Sequence, residues 1–343
     1  MSETRVAKLS RARLALGGSS TDTAGGSRRS SSFASSVLSA GVWIVFIALC
    51  GVFAGLRPNA FLSLATLRNT LDTAAVVGLM GVGLTAVLAV GEFDFSFTGA
   101  LEVAGAVSVI SMSKWGLDTG LAVLLGVAAG TVVGIANAVG VAYIGASPFI
   151  VTLATGSVAT GIADGFTGGN FITNGVHHSF ARITAISPLT MPMTVYISLA
   201  VAAVVGVALT FTIWGRRIYA VGENRKAAFT LGLATKRLRA QAFILMGACA
   251  GLTGVLLMSE ASSYYPSAGA SYLIPVYAAC FLGANALRGG RFRPWLTYFG
   301  AIFLAVISTG LALLSEPLWV PEVVEGGVLL VAIGATRWVQ ASS

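Results

Sequence analysis

The sequence is poor in charge, poor in histidine and almost free of cysteine. Only 10% of its residues are charged, against about a quarter in soluble domains. There are 2 histidines, His177 and His178, and 3 cysteines, Cys50, Cys249 and Cys280. The cysteines all lie within apolar runs and show no paired spacing, which leaves no disulfide framework or zinc site. The histidines are adjacent, diverge in a helix and lack a third ligand, so they offer no metal site. No G-x-x-x-x-G-K-[ST] loop occurs, so the chain does not bind ATP through that motif. Neither a G-x-S-x-G elbow nor an H-E-x-x-H pair is present. An enzymatic role and a cofactor therefore have no support in the sequence.

What remains is apolar: 56% of residues are hydrophobic, and mean hydropathy is +0.85. Several apolar runs reach about 18 residues or more, and roughly 20 helical residues span a bilayer. The 42 glycines suit helices that approach closely in lipid. The expected fold is all-α and polytopic, with about ten transmembrane helices. The apolar segments read as 37–56, 73–91, 97–112, 120–144, 148–166, 191–213, 240–259, 272–287, 295–315 and 322–338. Residues 1–36 are rich in Ser and Gly and carry Arg5, Lys8, Arg11, Arg13, Arg28 and Arg29. Such a stretch builds no core and reads as a disordered basic cytoplasmic tail. It precedes a membrane-spanning domain over 37–338, whose first helix is long enough to be an uncleaved span rather than a signal peptide.

The formal net charge of +8 is distributed by topology rather than as a nucleic-acid patch. Ten crossings put all but four of the 21 Lys and Arg residues on one side. The exceptions are Arg57, Arg68, Lys114 and Arg182. The positive-inside rule then makes both termini cytoplasmic and places 167–190 outside.

Three features stand out from the spans. Segment 214–239 faces inside and carries seven positive charges. Within it Asn224 suits a helix N-cap, Ala227 to Leu231 form helix readily, and Gly232 can end it in the left-handed conformation. The second feature is Gly91 to Thr98, where Phe93, Phe95 and Phe97 alternate with Asp94, Ser96 and Thr98. A period of two indicates an extended break between helices, tolerated at membrane depth only inside protein or beside a wet cavity. Aromatic rings beside carboxylate and hydroxyl groups are a mixture usual in small-molecule sites. Third, Glu102 lies inside the next apolar run, and an intramembrane carboxylate is a functional candidate. Each feature has a plainer reading: a charged surface loop, an interfacial turn with Asp94 as a helix cap, and an acid neutralised in a helix contact. Asp164 and Glu260 lie near helix ends and read as boundary residues.

Five blocks, in order from about residue 70 to the C-terminus, resemble the permeases of ribose- and simple-sugar-type ABC importers. These are distantly related to the branched-chain amino-acid permeases. Gly91-Glu-Phe-Asp-Phe-Ser is similar to that family's G-G-I-D-L-S. Pro148-Phe-Ile-Val-Thr-Leu-Ala-Thr155, with Thr167-Gly-Gly169, is similar to its P-F-I-V-T-L-G-T and T-G-G, and brings in Phe149 and Thr152. Gly215-Arg-Arg-Ile-Tyr-Ala-Val-Gly222 with Glu223-Asn224 resembles its cytoplasmic loop. Gly247 to Leu257, and Leu282-Gly283 with Gly289-Gly290-Arg291, resemble two further blocks.

The resemblance implies a permease that pairs with a second copy or a close paralogue and docks a cytoplasmic ATP-binding subunit. It also implies an extracytoplasmic solute-binding protein as donor, and alternating access as the mechanism. The coupling role falls on Gly215, Arg216, Arg217, Gly222, Glu223, Asn224, Ala227 and Gly232. The pathway candidates are Phe93, Asp94, Phe95, Ser96, Glu102, Phe149 and Thr152. The sequence departs from the family at three places. Glu92 stands where the family has its second glycine, Glu102 where a small residue is usual, and Leu273-Ile274-Pro275 where many relatives have E-L-D. An ion-coupled secondary transporter is the alternative, with Glu92, Asp94 and Glu102 as the one acidic group that could serve it.

Overall fold

The structure is a computed structural model that describes residues 23–286, 291–317 and 319–341, with side chains over 40–286, 291–317 and 319–334. Every regular element among them is helical. In chain order these are α1 (Thr23–Leu56), α2 (Leu64–Ala89), α3 (Phe97–Ser113), α4 (Thr119–Asn137), α5 (Pro148–Thr167), α6 (His178–Ala185) and α7 (Met193–Phe211). There follow α8 (Ile213–Glu223), α9 (Arg225–Thr230), α10 (Thr235–Ala261), α11 (Leu273–Asn285), α12 (Pro294–Leu313) and α13 (Trp319–Ala341). A one-turn helix, Pro58–Phe61, links α1 to α2, and α4 runs on as a π-turn over Ala138–Ile144.

Each apolar segment read from the sequence falls on one of these helices. Six of them are long and apolar enough to cross a membrane: Leu64–Ala89, Thr119–Ile144, Pro148–Thr167, Met193–Phe211, Thr235–Ala261 and Pro294–Leu313. Shorter apolar helices cover Ala40–Leu56, Phe97–Ser113 and Ala270–Asn285. The expected disordered tail lies outside the described residues over 1–22, and α1 already begins at Thr23.

Helix starts follow local chemistry. Ser63 accepts the Thr66 N–H and Asp118 accepts the Leu121 N–H, so α2 and α4 each begin on a side-chain cap. Pro148 and Pro294 open α5 and α12, where the missing N–H costs nothing.

The core is built on α2 and α10, which are mostly buried by their neighbours, whereas α4 and α5 keep broad exposed apolar faces. Helices α10 and α4 approach until their backbones touch. A Cβ built on Gly130 would lie 2.5 Å from the Gly251 Cα, and one on Gly134 would lie 2.5 Å from the Phe243 carbonyl oxygen. In lipid, where apolar tails surround the helices, such close van der Waals fit holds a pair together.

The 27 residues of α10 rise roughly 40 Å at 1.5 Å per residue. Near its start Arg239 meets Glu92, and near its end the Ser259 hydroxyl donates to the Phe180 carbonyl at 2.7 Å. Segments 167–190 and 214–239 therefore sit at opposite ends of the bundle. The first of these holds α6 and an isolated antiparallel bridge between Ile172 and Tyr264, order that its polar composition did not announce.

Replacing Gly130 with Val should be among the most destabilising changes in α4. Overpacking costs about 1–3 kcal/mol, and here the obstacle is backbone rather than a movable side chain. Thermal unfolding of the detergent-solubilised protein should show a clear fall in midpoint, while Val132→Ala on the exposed face should not.

Candidate functional site

Helix α2 ends where Gly91 takes φ +84°, a left-handed conformation that an L side chain resists. Glu92 is not among the positive-φ residues, so a side chain is admissible there and only the first position of the pair requires glycine. Residues 92–96 are non-helical, and α3 begins at Phe97. The period-two reading therefore holds through Ser96 and fails at Phe97 and Thr98. Phe97 is already helical and fully buried, not aligned with Phe93 and Phe95.

Within the break, alternation separates two environments. Phe93 is 45% exposed, whereas Asp94 is 1% and Ser96 1% exposed. The polar side chains face into the protein and organise it. Asp94 Oδ1 accepts the Ser96 N–H at 2.8 Å and the Ser96 hydroxyl at 2.7 Å. Ser96 Oγ accepts from Asn137 Nδ2 at 2.6 Å, and Asn137 Oδ1 accepts from the Thr155 hydroxyl at 2.5 Å. The Tyr277 hydroxyl donates to the Asp94 carbonyl at 2.7 Å and accepts the Asp94 N–H at 3.2 Å. The chain thus supplies hydrogen bonds that a helix would otherwise have made internally.

The aromatic side of the break lines a cavity of about 500 Å³ with Leu88, Gly91, Glu92, Leu273, Ile274, Tyr277, Phe281 and Phe292, and with Leu329 and Ile333 of α13. Phe95 packs against Tyr277 with ring centroids 5.3 Å apart and against Phe149 at 5.4 Å. Of the pathway candidates, Phe93 and Phe95 line this space, with Phe149 behind Phe95. Asp94 and Ser96 turn away from it. Thr152 is buried and donates to the Pro148 carbonyl of its own helix. Glu102 is a staple: it accepts the Ser267 N–H at 2.6 Å, with Thr160 and Tyr264 hydroxyls at 3.4 and 3.5 Å. A second cavity of about 610 Å³ lies towards the other end, lined by Thr73, Tyr272, Ile274, Ser308 and Glu325 among others. Ile274 is common to the two linings.

Beneath the break lie α8 and α9. Thr212 caps α8 through the Gly215 N–H, and Asn224 caps α9 by accepting the Ala227 N–H at 3.0 Å. Gly232 follows at φ +80°. Two coupling candidates are packing glycines: a Cβ on Gly215 would lie 2.0 Å from the Leu209 carbonyl oxygen, and one on Gly222 2.0 Å from that of Ala89. They seat α8 against α7 and against the end of α2. Arg216, Arg217, Glu223, Asn224, Ala227 and Gly232 are exposed, and Glu223 pairs with Arg291. Burial holds the Tyr219 phenol above its ordinary range despite nearby Arg293 and Arg291. It remains a donor, to the Phe292 carbonyl at 2.6 Å.

Several residues of the site were not singled out by sequence reasoning. Phe229 and Leu231 are 71% and 82% exposed on an otherwise basic surface, beside a cleft of about 690 Å³ lined by Tyr143, Lys226 and Arg237. Arg225 and Arg239 both pair with Glu92. Asn137 and Tyr277 close the network around Asp94. Arg239 borders the apolar run that begins at residue 240, but nothing local sets it apart from the other basic residues of 214–239.

A helical bundle with a broken span beside a cavity, and a capped helix pair at its base, has the build of a membrane transport permease. Residues 66–333 match the family described as branched-chain amino acid transport system / permease component, and the chain belongs to that family. The chain is 33% identical over 279 residues to a ribose import permease protein of Bacillus subtilis, covering 81% of this chain and 86% of that one. It is 29% identical over 298 residues to a D-allose transport system permease protein of Escherichia coli, covering 87% and 91%. An autoinducer 2 import system permease protein of Salmonella paratyphi B is 31% identical over 279 residues, covering 81% and 80%.

Glu92→Gln should cost about 3–5 kcal/mol of stability, because it leaves the buried Arg239 without its counter-charge. Phe93→Ala, on the exposed side of the same break, should cost far less. Thermal unfolding of the two variants side by side checks the contrast.

Proposed function

We propose that this chain is the membrane-spanning subunit of an ATP-driven importer for a sugar or sugar-like polar solute, seated in the bacterial cytoplasmic membrane. It crosses ten times with both termini inside and works by alternating access. Its partners are a second permease copy or close paralogue, a cytoplasmic ATP-binding subunit and an extracytoplasmic solute-binding protein. The observation that carries the reading is the aromatic cavity at the break, standing directly over the capped, basic α8–α9 pair. Rings suit the C–H faces of a sugar, and a mostly apolar lining suits weak binding, which lets cargo leave. Two of the named relatives are transporters of sugars, ribose and allose.

The ion-coupled alternative needs a free acidic cluster. Glu92 is bound by two arginines, Asp94 by Ser96, and Glu102 by the 262–272 connection. Those engagements favour the importer.

Single cysteines in a variant lacking native cysteines, labelled with an impermeant reagent on whole cells, test the orientation. Position 178 should label from outside and position 226 only after permeabilisation; external labelling at 226 would sink it. The exposed apolar residues of α9 are expected to dock the ATP-binding subunit. Phe229→Ala and Leu231→Ala together should lower its co-purification at least about tenfold, the scale of a two-residue hot spot. Undiminished co-purification would move the contact elsewhere.

A further inference from the structure

We infer that Glu92 is a positioning residue that ties the cavity-lining break to the α8–α9 pair through Arg225, so that displacement of α9 reaches Phe93 and Phe95. The inference rests on the reading of α8–α9 as the contact for an ATP-binding subunit. The backbone at position 92 requires no glycine, so the carboxylate stands there without conformational strain.

The geometry is a fork. One carboxylate oxygen of Glu92, a residue 3% exposed, accepts from two guanidinium groups. Arg239 approaches at 2.6 Å, is 8% exposed and also donates to the Val141 carbonyl at 3.0 Å. It is fixed on all sides by α10 and the π-turn of α4. Arg225 is 45% exposed at the side chain and belongs to a helix of six residues whose buried side is Ala228 alone. Of the two arms, the Arg225 arm is the one able to move.

The load it would carry falls on backbone outside the helices. Glu92 is followed immediately by Phe93, in five consecutive non-helical residues between two long helices. Gly222 touches Ala89 at the same place, so α8 bears on the end of α2 while Arg225 grips the residue beyond the turn. A charged hydrogen bond to a buried carboxylate is short, directional and weakly screened by salt, which suits transmission of a displacement. The bland rival is that Glu92 only neutralises Arg239, with Arg225 an incidental neighbour.

Because Glu92→Gln endangers the fold, the test acts on Arg225, whose loss leaves the Glu92–Arg239 pair intact. The complete transporter, with its ATP-binding subunit and binding protein, is reconstituted in liposomes, and uptake of ribose or allose (whichever the complex carries) is measured per ATP hydrolysed. Arg225→Ala should keep the ATP-binding subunit bound and lower uptake per ATP about tenfold, the factor matching the low end of a charged hydrogen bond. Arg225→Lys should restore most of it. An unchanged ratio in Arg225→Ala overturns the inference and leaves Glu92 a neutralising group. Loss of the ATP-binding subunit from Arg225→Ala also overturns it, making Arg225 a docking residue. A cysteine cross-link from Lys226→Cys to the ATP-binding subunit separates the two levels. Without that cross-link in a transporting complex, the α9 contact itself fails and the inference with it. With it, an unchanged ratio condemns the inference alone.

Discussion

A backbone that leaves the helical path inside an apolar bundle must find a partner for every N–H and carbonyl it frees, since lipid offers none. Gly91 creates that obligation by turning the chain out of α2 at φ +84°. Much of the surrounding structure answers it. Tyr277 from α11 and Asn137 from the end of α4 converge on Asp94 and Ser96, and Thr155 of α5 donates to Asn137 in turn. The same requirement explains why the polar side chains of the alternating stretch point inward. Their hydrogen bonds are taken by the backbone and by one another, and the rings are left to face the cavity.

The sequence made the helices legible because composition, run length and glycine content all point one way. It made the break legible because a period of two interrupts two long apolar runs. It could not say which side of the alternation faces a cavity. Aromatic-out and acid-out have the same period, and the choice was made by Tyr277 and Asn137, distant in sequence. Helix α9 was readable from Asn224 and Gly232, whose cap and left-handed turn are local chemistry, whereas α8 before it was not. Gly215 and Gly222 were read as coupling residues through resemblance. Their close contact with Leu209 and Ala89 is tertiary and leaves no local trace. Glu92, Asp94 and Glu102 looked like one acidic group in the sequence. The fold gives each a separate set of partners: Arg225 and Arg239 for Glu92, Ser96 for Asp94, and the Ser267 N–H for Glu102, which lies within α3.

Rigidity and compliance are unevenly shared. Helices α4 and α10 meet backbone to backbone along Gly130, Gly134, Gly247 and Gly251, and such a pair has no side-chain cushion through which to slide. The break, the six-residue α9 and the exposed apolar pair Phe229 and Leu231 lie beside that rigid unit. Under the proposed coupling, motion imposed at the base of the bundle would fall on the few residues that lack helical hydrogen bonds.

Ile274 is the residue common to the linings of the two cavities, so its side chain borders both. Rotamer changes of exposed side chains take picoseconds to nanoseconds, far faster than domain motions of microseconds to milliseconds. In the proposed alternating-access cycle, a barrier made of that rotamer alone would leak small solutes. Tightness has to come from the position of the first turn of α11, in which Pro275 immediately follows Ile274 and fixes φ. In a transporter of the proposed kind, the Leu273-Ile274-Pro275 turn would thus bear on permeability to water and ions as much as on choice of cargo.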